Sequence, residues 1–248
     1  TFNVGSNYPV ITQPLTINGF SAPGAIQGAL GTATRVMKII LNGPGSSSVY
    51  GLQITASNCT ISGLVIQDFY KGIYINGGDN NWIWGNYIGT ANNGLSVSTA
   101  TRCYDDGIAL NNNANNNIIG TNGDASNDAN EGNLVSANGD ASVQFVGECI
   151  AINEGGSIGN NCTGNRIAGN YLGTNETGTA ALFNNTTAGG QRGSGVQINY
   201  STANIIGTNG DGISDALERN VISGNTDCGI VLVGGGSNKI KGNYIGTT

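Results

Sequence analysis

The chain has no histidine, four prolines, only nine lysines and arginines, and, in 248 residues, no apolar run long enough to cross a bilayer. Each absence removes a class of function. Without histidine, and with no CxxC pair among Cys59, Cys103, Cys149, Cys162 and Cys228, a zinc centre is excluded. An odd number of cysteines also leaves at least one unpaired within the chain. A net charge of −6 with so few cations excludes a nucleic-acid partner, because affinity for phosphate backbones comes from clustered Lys and Arg. A membrane span needs about 20 apolar residues, and none is present. The start, TFNVGSNYPV, lacks the basic and apolar regions of a signal peptide, so any export signal lies outside this sequence. Charged residues are only 10% of the chain, yet apolar ones are 38%, which is enough to build a core and excludes disorder.

What the chain has is glycine, 42 of them, and asparagine in pairs and triplets. Both favour turns, since they tolerate positive φ or bond their own backbone. The turns punctuate repeats. NWIWGNYIGT, NRIAGNYLGT and NKIKGNYIGT start at residues 81, 165 and 238, hence 84 and 73 residues apart. NIIGTNGD at 117 returns at 204, and NLVSANGD at 133 aligns with NVISGNTD at 220, both after 87 residues. A third element, GLQIT at 51, GIYIN at 72, GIALN at 107, CIAIN at 149, GVQIN at 195 and GIVLV at 229, has apolar residues at alternate positions. Alternation over so short a span predicts strands.

Short strands with one apolar face cannot bury themselves singly, but they can when coiled one above another. The fold class expected is therefore all-β: one parallel β-helix with inserted loops. About ten coils at ~4.8 Å per strand would make a rod about 50 Å long. The inward column is Leu52, Ile73, Ile108, Ile150, Val196 and Ile230, with Ile54, Ile75, Leu110, Ile152, Ile198 and Leu232 two residues on. The next position, Thr55, Asn76, Asn111, Asn153, Asn199 and Val233, predicts stacked asparagine amides at a turn. Asn86, Asn170 and Asn243 of the GNYIGT segments are read the same way.

GNYIGT, NETGTAAL at 175–182, IIGTNGDGISDALERNVISGN at 205–225 and GIVL at 229 resemble the right-handed parallel β-helix repeats of large bacterial surface or secreted proteins. The resemblance covers nearly the whole chain. It implies one domain, 1–248, with 1–50 as opening coils and 51–248 as clear repeats. It also implies a non-catalytic structural or adhesive module outside the cell. The sequence stops at GNYIGTT, in mid-repeat, which suggests a fragment joined to flanking domains or a subunit that stacks head to tail into a filament.

β-Helices also include pectin lyases, polygalacturonases and phage depolymerases, so a polysaccharide-active lyase or glycoside hydrolase is the alternative. A hydrolase needs paired carboxylates, and the candidates are Asp105 and Asp106 in CYDDGIAL. The Asn-Thr-Asp, His and Arg-x-Lys motifs that accompany such pairs have no counterpart here. The nine basic residues form no repeated constellation of the kind a lyase base would need.

Two acidic loops, Asn122, Asp124, Asp128, Glu131 and Asn209, Asp211, Asp215, Glu218, could ligate Ca²⁺ through alternate carboxylates and amides. The competing reading is a D-x-x-E capping box at Asp215 and Glu218 for a helical turn over ALER. Tyr74, Trp82 and Trp84 gather in adjacent coils. With Ile83 inward, the two tryptophans point outward, either as a surface for polysaccharide or packed beneath the loop at 91–106. Ice binding would need a flat threonine array. The outward residues Gln53, Tyr74, Ala109, Ala151, Gln197 and Val231 provide none.

Overall fold

The computed structural model describes residues 1–97, 100–139, 147–184 and 193–246. It is built from short strands in three sheets, and every strand pair is parallel. The first sheet has eight strands, from Phe2–Asn3 to Tyr244–Ile245; the second has six, from Leu52–Ile54 to Ile230–Val233; the third has seven, from Thr16–Asn18 to Lys239–Lys241. From Leu52 onward the chain visits the second, third and first sheets in that order, six times over. This is the connectivity of a parallel β-solenoid. The expected ten coils are not matched by any sheet among the described residues. Each turn takes three strands and inserted loops, so the 87-residue shift from Ile118–Gly120 to Ile205–Gly207 spans two turns.

The strands pair as the alternation requires. Leu52, Ile73, Ile108, Ile150, Val196 and Ile230 align across the second sheet, with Ile54, Ile75, Leu110, Ile152, Ile198 and Leu232 beside them. All but the last rung are buried in one aliphatic cluster that also takes in Ile61, Ile83, Ile119, Ile167 and Ile206 of the third sheet. Between the third and first sheets the wall turns on a single glycine with positive φ in alternate coils, Gly85, Gly169 and Gly242. In the coils between, that one residue is replaced by the acidic loops at 121–132 and 208–219.

Residues 19–38 do not form wall strands. After the 3-10 turn Gly19–Ser21 they run as a strap over the outside of the first sheet, closed by an antiparallel bridge between Ile26 and Val36. The strap covers an outward apolar column that includes Val65, Tyr87 and Leu134, with Met37 packed among them. Arg35 fixes it, lying over the Tyr87 ring at 5.5 Å and donating to the carbonyls of Gly132 and Asn130 at 2.8 and 2.7 Å. The opening coils expected over 1–50 are therefore interrupted by a segment that covers later coils.

The asparagines stack, in columns other than the first one expected. Asn86, Asn133, Asn170, Asn220 and Asn243 form one ladder, each Nδ2 donating to the next Oδ1 at 2.8–3.1 Å. Asn117, Asn165, Asn204 and Asn238 form a second, with all three links at 3.1 Å. In the column predicted from the strand ends, Asn76 and Asn111 are in register, but Asn153 and Asn199 donate to each other's backbone carbonyls instead. Asn153 has left the strand with φ 55°, which turns its amide toward main chain rather than toward the next amide.

Candidate functional site

Aligning the strands of the second sheet places Lys71, Asp106, Glu148 and Ser194 in one column, each two residues before an inward aliphatic. Lys71, Asp105, Asp106 and Glu148 are all buried, at 3%, 2%, 0% and 3% exposure. The Lys71 ammonium lies 2.5 Å from Asp105 Oδ2, 2.8 Å from Asp106 Oδ2 and 2.7 Å from Glu154 Oε2. Three successive rungs thus close around one cation. Glu154 arrives from the turn after Ile150–Ile152, with its side chain 29% exposed. The Lys71 ammonium also sits 5.0 Å from the Tyr70 ring centre, and the Tyr70 hydroxyl bonds Asp105.

The electrostatics follow from an excess of carboxylates over cations. Burial, and then the neighbouring Asp106, push Asp105 up to about 8. Burial likewise raises Glu148 to about 7 and holds Asp106 well above the ordinary carboxylate range. Asp106 and Glu148 bond each other through their side chains, which requires one of them to carry the proton. For Lys71, burial acts against the charge, but Asp106, Asp105 and Glu154 outweigh it and keep the ammonium protonated. The Asp105, Asp106 and Glu154 oxygens lie within 4.8 Å of one another, so this geometry would also suit a metal ion. The lysine supplies the positive charge from within the chain.

The predicted carboxylate pair is therefore adjacent in space as in sequence, and it is joined by Lys71, Glu148 and Glu154, which sequence reasoning missed. Two of these were within reach: setting GIYIN, GIALN and CIAIN in register puts Lys71 and Glu148 at the same offset as Asp106. Glu154 was not, because its approach depends on how the chain turns after Asn153.

The acidic loops are built alike. In the first, Thr121 Oγ1 and the Ala125 N–H donate to the two oxygens of Asp128, and the Asn122 N–H donates to Glu131. In the second, Thr208 and Gly212 donate to Asp215, and Asn209 donates to Glu218. Glu218 thus reaches back nine residues to the turn rather than capping at Asp215, and no helix forms over ALER. The capping box expected there is replaced because the TNGD turn presents its own free N–H groups. Burial raises Glu131 to about 7. Asp128 is held below the ordinary range: burial would raise it, but bonds from Ser214, Thr121 and backbone N–H groups outweigh that.

Arg166, from the coil between the loops, joins them, donating to the Asn122 carbonyl at 2.6 Å and pairing with Glu218. Asp211, Asp215 and Glu218 oxygens lie within 4.8 Å of one another. Arg166 already supplies a counter-charge there.

The aromatic residues divide between two sheets, not one patch. Trp82 and Trp84 lie on the third sheet, where Phe20 of the strap stacks on Trp84 at 5.6 Å and leaves it 8% exposed. Trp82 donates to the Gly120 carbonyl at 2.8 Å. Phe20 of the strap therefore covers Trp84, while Trp82 stays partly exposed beside it. Tyr74 is on the second sheet, stacked on Tyr50 at 5.2 Å, with Tyr70 edge-on to Tyr50 at 5.3 Å. All five cysteines are free thiols, four of them buried.

No helix among the described residues is long and apolar enough to cross a membrane. No protein-family model, curated protein or solved structure matches this chain.

Proposed function

We propose that the chain is a non-catalytic structural or adhesive module of a cell surface, a single right-handed parallel β-helix working outside the cell. Parallel strands joined by crossovers are almost always right-handed, which supports the hand. The observation that carries the function is the closure of the Lys71 cage. The most concentrated set of reactive groups is buried and neutralised from within, and the amides of the two asparagine ladders bond rung to rung. Such a wall supports itself and leaves its outer faces to meet partners. The reading includes end-to-end stacking of copies, because an open sheet edge presents unpaired N–H and C=O groups. Electron microscopy of concentrated protein would show rods of indefinite length if copies stack; monodisperse particles would count against stacking.

A polysaccharide-active enzyme is the second reading, and one observation favours it: Asp105 near 8 and Glu148 near 7 would be protonated at neutral pH, as a general acid must be. The test is release of reducing ends or unsaturated products from a panel of uronate and neutral polysaccharides. No release is expected. Release that disappears in Asp105→Asn and Asp106→Asn would overturn the non-catalytic reading.

A further inference from the structure

We propose that Tyr50, Tyr70 and Tyr74 form a ledge on the outer face of the second sheet that binds neutral sugar rings of a polysaccharide. The inference rests on the reading of the chain as an adhesive surface module and names what it would hold.

Three observations carry it. Tyr74 stands between the core residues Ile73 and Ile75 and so projects away from the core. Its ring lies nearly parallel to that of Tyr50, at 21°, and Tyr70 meets Tyr50 edge-on at 77°. All three remain partly exposed although they pack on one another, unlike Trp84, which Phe20 covers. A half-exposed aromatic platform suits the C–H face of a sugar, which is apolar in the middle and ringed by hydroxyls.

The second observation is what flanks the ledge. Along the sheet, Gln53 stands on one side of Tyr74 and Ala109 on the other. The glutamine amide is partly exposed and offers a donor and an acceptor to hydroxyls. The alanine is fully buried, so the ledge is closed on that side and a sugar meets it from the Gln53 side.

The third is charge, and it selects the class of sugar. The cation nearest the ledge is Lys71, and Asp105, Asp106 and Glu154 take up its ammonium. The charged group of this cluster that reaches solvent is the Glu154 carboxylate. A uronate polymer would bring its own carboxylates toward a chain of net charge −6 whose cation at the ledge is already taken up, so it is repelled. Neutral hexose polymers incur no such repulsion.

Affinity electrophoresis decides this, with native gels containing hydroxyethylcellulose or laminarin as neutral glucans and polygalacturonate as the acidic comparison. The intact chain should be retarded in at least one neutral gel and not in polygalacturonate. Tyr74→Ala and Tyr50→Ala should weaken binding roughly tenfold, as loss of about 1.4 kcal/mol of contact would do, whereas Trp82→Ala should not. Tyr74→Leu preserves apolar burial without a planar face and should lose retardation too; Tyr74→Phe should keep it. Melting curves confirm that each variant is folded.

Absence of retardation in both neutral gels, stronger retardation in polygalacturonate, or unchanged retardation in folded Tyr74→Leu would each overturn the ledge. Cleavage of the embedded glucan, read as reducing ends, would instead overturn the non-catalytic reading and leave the ledge standing. Binding without cleavage supports both.

Discussion

Two buried polar regions hold this wall together, and they differ in kind. The asparagine ladders are neutral: an amide carries both donors and an acceptor, so each rung satisfies the next and the pattern can repeat without limit. Asn170 accepts from Asn133 and donates to Asn220 and to the Ile119 and Ala168 carbonyls, all while fully buried. The Lys71 cage cannot repeat. Its lysine, aspartates and glutamates come from rungs that do not repeat one another, and the carboxyls outnumber the ammonium, so protons must make up the balance. A neutral ladder should hold its strength across pH, whereas a charged cage should not.

The sharpest way to break the comparison is Lys71→Met. Removing the ammonium leaves buried carboxylates without a counter-charge, which costs about 3–5 kcal/mol, measured by denaturant unfolding at pH 8. At pH 5 the loss should be much smaller, because the carboxyls then take up protons. An equal loss at both pH values would mean that the cage is held by packing rather than charge.

The intact chain should show the same asymmetry. Asp105 and Glu148 rise from 3.8 and 4.5 in the unfolded chain to about 8 and about 7 in the fold. Groups raised in this way stabilise the fold fully below the unfolded values, and that contribution disappears as pH rises through the folded ones. The melting temperature should therefore fall by several degrees between pH 5 and pH 8. Asp128, held low, acts in the opposite sense and matters only in acid below the ordinary carboxylate range. A flat profile from pH 5 to 8 would show that the cage does not titrate.

Asn170→Ala should cost about 2–3 kcal/mol, the penalty for stranding buried partners, and the cost should be the same at pH 5 and pH 8. A pH-dependent loss would remove the distinction between the two regions. At the small end, Asp124→Ala should change stability by less than about 0.5 kcal/mol: Asp124 is exposed, and its bonds lie within its own turn.

Much of this architecture was readable from residues alone. The columns through Leu52 and Ile54 were legible because a strand alternates with period two and a core admits only aliphatics, so the repeats align themselves. The acidic loops were legible as repeats but not as structure. The sequence pattern of a D-x-x-E box is local, and Glu218 answers instead to Asn209 and Arg166. The aromatic cluster was misread because proximity in sequence, Tyr74 to Trp84, crosses a corner of the coil and places the residues on different sheets. The strap was missed because TINGFSAPGA carries turn residues like any loop, and nothing in it reveals that Phe20 will cover Trp84.

The sequence by itself determined a wall of short parallel strands, since alternating Ile, Leu and Val between Gly and Asn recur in register and bury one face when coil stacks on coil. It also determined which aspartates stand together, Asp105 beside Asp106. Only the tertiary structure decided that Lys71 and Glu154 close around them, that three tyrosines share one face, and that residues 19–38 lie along the rod. Those outcomes depend on which rung stands next to which, and that is set by loop lengths between strands, whose path no local periodicity encodes.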